Sequence, residues 1–96
     1  MDKHIASRTD PEILQELGRR LRQLRMARGL TQAQAANQAG LDRTTVSRAE
    51  RGENPNLLTL VRLLRVCGRL NALDSFIPEP EVSPLAILRS RGDRRG

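Results

Sequence analysis

Apolar residues recur at three- and four-residue steps along much of this chain, the spacing of one helix face. Ile13, Leu14, Leu17, Leu21 and Leu24 form the first such stripe. Asp10-Pro11 opens it, with Asp as the expected cap and Pro as the first helical residue, where its missing N–H costs nothing. Gly29 ends it. Thr31 and Gln34 then form a T-x-x-Q capping box, which predicts a second helix reaching about Ala39. Gly40-Leu41-Asp42 is a three-residue joint. Asp42 is expected to cap a third helix, "RTTVSRAE", which starts at Arg43 and stops near Gly52. After the loop "ENPN", Asn56 caps a fourth helix. Leu57, Leu60, Val61, Leu64 and Cys67 line one side of it, Leu58 and Leu63 widen that side, and Gly68 ends it. "RLNALDSF" reads as a short fifth helix closed by Ile77-Pro78.

The pattern then changes. Pro78, Pro80 and Pro84 preclude one continuous helix. The last segment holds an apolar patch (Val82, Leu85, Ile87, Leu88) and a basic end, "RSRGDRRG". The chain therefore divides into a flexible N-terminal arm (1–9), a helical domain (10–77) and a Pro-rich, then basic, tail (78–96). There is no internal repeat. Phe76 is the only aromatic residue, so the core must be Leu, Val, Ile and Ala. That favours helix packed on helix, because strand-forming aromatic and β-branched residues are scarce. The expected fold is an all-α, compact bundle of five helices with an extended tail.

Charge adds the next constraint. Seventeen basic residues oppose 11 acidic ones, for a net charge of +6, and all but one of the basic residues are Arg. The planar fork of Arg matches phosphates and guanine edges, so an acidic polymer is the natural partner and nucleic acid leads. Composition alone fits a solvated Arg-rich surface equally well. Arg19, Arg20, Arg22, Arg25 and Arg28 occupy the remaining faces of the first helix, which by itself could also lie on a membrane or feed calmodulin. One cysteine, Cys67, excludes an intrachain disulfide and reads as a buried structural thiol. His4 has no second metal ligand nearby and reads as solvated. No stretch approaches the ~20 apolar residues of a membrane span, and "MDKHIASRTD" lacks the apolar middle of a secretory signal. A soluble, cytoplasmic protein without membrane contact is expected.

On a helical wheel, Val46 and Ala49 of the third helix fall on one side. Thr44, Ser47, Arg48 and Arg51 fall on the other, with Arg43 at its edge. Two apolar anchors thus oppose a hydroxyl–guanidinium face. Ala36 and Gly40 are small enough to let the second helix cross closely over the joint. This pattern is a helix-turn-helix, whose second helix enters the DNA major groove. "GLTQAQAANQAGLDRTTVSRAERG" followed by "NPNLLTLVRLL" resembles the Cro/repressor (Xre-type) DNA-binding domain, from about Leu17 to Leu70. The resemblance implies a lambda-repressor-like bundle and specific roles. Arg43, Thr44, Ser47 and Arg48 match positions that touch base edges. Gln32, Arg51 and Asn54 match phosphate contacts, and Gln32 also supports the recognition helix. Arg25 and Glu50 match a salt bridge between the first and third helices. Within the third helix, Arg48 sits mid-face with no acid expected on its side; Thr44 and Thr45 could instead satisfy the helix start.

Ala35, Ala39 and Ala49 depart from the family, which carries larger aliphatics there. Such residues should thin the core or let the helices close up, with the Leu-rich first and fourth helices filling space. Modest stability or dependence on a dimer follows. The resemblance also implies two-fold dimers on a palindromic operator, with half-sites ~34 Å apart. Phe76, Ile77, Val82, Leu85, Ile87 and Leu88 are the apolar material left to bury across a homodimer or against a second protein. The tail is similar to tails on small antitoxins, which would make a toxin the partner. No acid pair, His/Cys cluster or phosphate-cradling glycine loop points to an enzyme, a metal or a cofactor. Two functions remain: a sequence-specific DNA-binding regulator, by expectation a repressor and in one version an autoregulatory antitoxin, or an interaction module that keeps the bundle and binds a partner without specific DNA binding.

Overall fold

The computed structural model describes residues 4–81, 85, 88 and 89. Among them there is no strand. Five α-helices follow in order: α1 (Asp10–Ala27), α2 (Gln32–Ala39), α3 (Arg43–Glu50), α4 (Leu57–Val66) and α5 (Leu73–Phe76). Short 3-10 turns precede α1 at Ile5–Ser7 and α5 at Leu70–Ala72. The fifth helix expected over "RLNALDSF" is therefore split, and only its last four residues are α-helical.

The helix starts follow their local chemistry, with two adjustments. Thr9, not Asp10, caps α1, and Asp10 joins the first turn. The reason is a reciprocal box: the Glu12 carboxylate accepts the Thr9 N–H at 2.9 Å, while Thr9 Oγ1 accepts the Glu12 N–H at 3.4 Å. That satisfies two orphan donors at once, and Asp10 alone could not. Asp42 stands at the N-cap of α3, but its side chain makes no capping bond. The start of α3 is set by the backbone turn out of α2. Thr31–Gln34 and Asn56–Thr59 cap α2 and α4 as expected, with bonds of 2.8–3.1 Å.

Four helix ends close alike. Gly29, Gly40, Gly52 and Gly68 all have positive φ, and the next residue's N–H reaches back five positions. The bonds are Leu30 to Arg25, Leu41 to Ala36, Glu53 to Arg48 and Arg69 to Leu64, at 2.7–3.3 Å. This is the Schellman closure, which needs a left-handed residue. Between α2 and α3 it reverses the chain in three residues.

Leu21, Ala36, Ala39, Val46, Ala49 and Leu63 form the buried core, and Leu41, Leu60, Leu64 and Val66 pack around it. Val46 is fully buried; removing a valine side chain from water contributes ~1.5–3 kcal/mol. Ala35, Ala39 and Ala49, the alanines expected to thin the core or let the helices close up, are all buried. Gly18 makes the closest approach possible. A Cβ there would lie 2.5 Å from the Glu50 carbonyl oxygen and 2.7 Å from that of Ala49.

The buried side of α4 differs from the predicted one. Thr59, Leu63 and Cys67 face inward, while Leu57 and Leu58 are exposed. Both leucines sit in the first turn of α4. The inward register is chosen by the small-residue surface of α2 and α3 rather than by the richest apolar stripe. Leu60 and Leu64 remain half-buried beside α1.

Candidate nucleic-acid interface

Helix α3 is held from behind and open in front. Val46 and Ala49 are buried, Ser47 is half-buried, and Arg43, Thr44, Arg48 and Arg51 are exposed. The wheel's two-sided reading of α3 thus holds in three dimensions. Arg43 and Thr44 lie at its start, immediately after the joint, and Arg48 lies one turn further along.

A buried polar knot holds α3 against α1 and α2. Arg25 donates from Nε to Glu50 Oε2 at 2.6 Å and from Nη2 to Oε1 at 3.0 Å. A third bond runs from Arg25 Nη1 to the Leu30 carbonyl at 2.7 Å. Gln32 Nε2 completes the knot on Glu50 Oε1 at 3.1 Å. Arg25 is 9% exposed, so it is not one of the solvated arginines that fill the faces of α1. Its hydrogen bond to Glu50 raises its pKa above the ordinary value, which keeps it charged despite burial. Such bidentate pairs are geometrically strict, and the knot sets the rotation of α3 about its axis. Gln32, expected at a phosphate and as a support for the third helix, is bonded to α3 through Glu50.

The loop after α3 brings an acid that sequence reasoning missed. Arg48 was expected to have no acid on its side. Glu53 lies 4.0 Å from Arg48 Nε and 2.6 Å from Arg51 Nε. The cause is the turn at Gly52, which folds the chain back so that Glu53 rejoins the helix end. The Arg51 hydrogen bond holds the Glu53 carboxyl below its usual range. Arg51 Nη1 also donates to Ser47 Oγ at 2.9 Å, and the serine hydroxyl can still donate its own proton outward. Asn54 is exposed and is the only non-glycine with positive φ among the described residues.

Phe76, the last residue of α5, and Ile77 after it are 54% and 70% exposed. Leu85 and Leu88 are exposed as well. Val82 and Ile87 lie outside the described residues. Cys67 is buried, as expected, and burial pushes its thiol pKa up. No helix among the described residues is long and apolar enough to cross a membrane. Ile5–Ser7, within the expected arm, forms a turn, and Arg8 beyond it reaches Glu16 at 3.5 Å.

A short helix, a three-residue turn and a second short helix with a polar outer face, wedged against α1 by a buried Arg–Glu pair, define a helix-turn-helix domain. Residues 16–73, more than half of the chain, match the family described as helix-turn-helix domain. The chain belongs to that family, in its Cro/repressor (Xre-type) form. It is 38% identical over 65 residues to the HTH-type transcriptional regulator PuuR of Escherichia coli (strain K12), and equally to PuuR of Shigella flexneri. The alignment covers 67% of this chain and 34% of each relative. The chain thus spans about a third of the length of the curated relatives it matches.

Proposed function

We propose that this protein is a transcription regulator that binds double-stranded DNA sequence-specifically, as a two-fold dimer, and represses its own operon from the cytoplasm. The observation that carries the reading is α3: pinned by Val46 and Ala49, with Arg43, Thr44 and Arg48 turned outward. Under this reading the unit 10–77 is the DNA-binding domain and 78–96 its tail. Arg43, Thr44, Ser47 and Arg48 meet base edges, and Arg is suited to guanine O6 and N7. Gln32, Arg51 and Asn54 meet phosphates. The naming of the PuuR relatives as transcriptional regulators supports the same class.

The dimer reading draws on an apolar groove of about 340 Å³ bounded by Leu17, Leu21, Leu24, Leu60, Leu64 and Phe76. With Phe76 and Ile77 half or more exposed beside it, this face is suited to burial against a second copy, and Leu85, Leu88, Val82 and Ile87 belong to the same proposal. The groove also favours a second reading, an antitoxin whose partner is a toxin protein. Gel mobility shifts on the protein's own promoter, at two salt concentrations, test the first reading. Sedimentation of the free protein tests the dimer. A salt-sensitive, sequence-dependent shift by a dimer is expected. A monomer that retards no DNA, but captures the product of a neighbouring gene, would establish the interaction module instead.

A further inference from the structure

Arg22 is unusual among the arginines of α1. Arg8, Arg19 and Arg20 share Glu16, and Arg25 is bound to Glu50. Arg22 has neither an ion pair nor a side-chain hydrogen bond among the described residues, and it is exposed. One turn beyond Gly18 and three residues before Arg25, it is carried to the edge of α3 by the close helix crossing. There it bounds a polar cleft of about 460 Å³ with Arg25, Gln32, Ser47, Glu50 and Arg51.

The charge of that cleft does not balance. Three guanidinium groups line it against one carboxylate. Both oxygens of that carboxylate, Glu50, are taken by Arg25 and Gln32. Arg51 leans on Glu53 outside the cleft and on Ser47 within it, through Nε and Nη1, leaving Nη2 unused. The lining therefore holds a neutralised Arg25–Glu50 pair bonded to Gln32, together with the unpaired guanidinium of Arg22 and the remaining Nη2 of Arg51. A tetrahedral monoanion in this cleft would meet guanidinium donors from Arg22 and Arg51, the chemistry that recognises phosphate.

We propose that this cleft seats one backbone phosphate of the bound DNA, with Arg22 of α1 as a phosphate-binding residue alongside Arg51. This rests on the DNA-binding reading above and adds α1 to the interface. The contact carries no sequence information. It fixes how α3 is set in the groove, since Arg22 and the knot that orients α3 share one turn of α1.

The test compares wild-type protein with Arg22→Ala and Arg22→Lys in equilibrium binding to promoter DNA and to unrelated duplex across a salt series. Arg22→Ala should weaken both DNAs alike, by about tenfold at low salt, and reduce the slope of log affinity against log salt by ~0.9 per subunit, ~1.8 for the dimer. Arg22→Lys should restore most of the slope. Ethylation of a single phosphate per half-site should weaken wild-type binding by a larger factor than that of Arg22→Ala, which has already lost one of the two contacts to it. Helix content and melting should be unchanged, because Arg22 makes no side-chain bond among the described residues. An unchanged slope in Arg22→Ala, with wild-type DNA binding intact, overturns the seat alone. Wild-type protein that binds no duplex overturns the functional reading with it. Saturation of the cleft by inorganic phosphate, seen in Arg side-chain NMR signals, without any change of DNA slope in the variant, overturns it in favour of a free-anion site.

Discussion

Gly18 of α1 lies directly against the last carbonyls of α3, so close that a Cβ would stand 2.5 Å from the Glu50 oxygen. The neighbour is backbone, which cannot swing aside. Glycine in mid-helix costs ~1 kcal/mol relative to alanine, so this residue is retained against local preference. Gly18→Ala should therefore lower stability, by about 1–3 kcal/mol of overpacking net of the helix gain. Urea denaturation decides the sign. A more stable Gly18→Ala protein would mean that α1 and α3 are not held this tightly.

The same crossing places Arg25 beside Glu50. Removing one partner leaves the other buried and unpaired. Arg25→Met or Glu50→Leu alone should each cost about 3 kcal/mol or more. The double variant should recover much of that loss, since two apolar side chains can replace a buried pair. A double-mutant cycle on chemical denaturation measures the coupling. Additive losses would show that the pair contributes no mutual energy.

Glu16 provides the pH test. Its hydrogen bonds from Arg19 and then Arg20 pull its pKa down from 4.5 to about 2. A carboxylate depressed in the folded state stabilises above its unfolded pKa. That contribution is lost as pH falls from about 4.5 through about 2. NMR titration of the Glu side chains should find Glu16 titrating last on acidification. Glu16→Gln should flatten the acid limb of the stability curve in this window, whereas a Glu16 titrating with ordinary carboxylates would remove the basis for the effect.

Glu53 pairs with Arg51 and lies beside Arg48, so under the proposed reading it competes with DNA for both. Neutralising it in Glu53→Gln should release both guanidiniums and raise affinity for all duplexes. Arg51→Ala should weaken all sequences equally. Arg48→Ala should cost about 1–3 kcal/mol on the preferred site and relax base preference there. Competition binding against single-base variants of the site separates these outcomes. Uniform weakening by Arg48→Ala would reassign it to a phosphate.

Several elements were readable from residue order because their causes are local. The Thr31–Gln34 box, the Asn56 cap and the glycines at 29, 40, 52 and 68 act over five residues or fewer, and each lies where spacing placed it. Val46 and Ala49 as anchors, with arginines opposite, follow from helical period alone. Thr9 was missed because Asp10-Pro11 also fits a helix start; only the reciprocal bond with Glu12 separates them. The outer face of α4 was misjudged because Leu57 and Leu58 are apolar by type, yet the first turn buries Thr59 and leaves both leucines in water. Gly18 carried a signal, a glycine inside a leucine-rich helix, that points to a close crossing without saying with what.

The sequence by itself thus determined that five helical segments form, where four of them stop, and which side of α3 carries its charge. Tertiary structure alone decided which partner each arginine has. Arg22 and Arg25 are three residues apart on one helix, yet one edges an open cleft and the other is locked to Glu50. Glu53 reaches back to Arg51 and Arg48 because Gly52 turns the chain. Helical period arises from bonds four residues apart, so order along the chain contains it. Ion pairing depends on distance in space and on what water can reach, which exist only once α1, α2 and α3 have closed on one another.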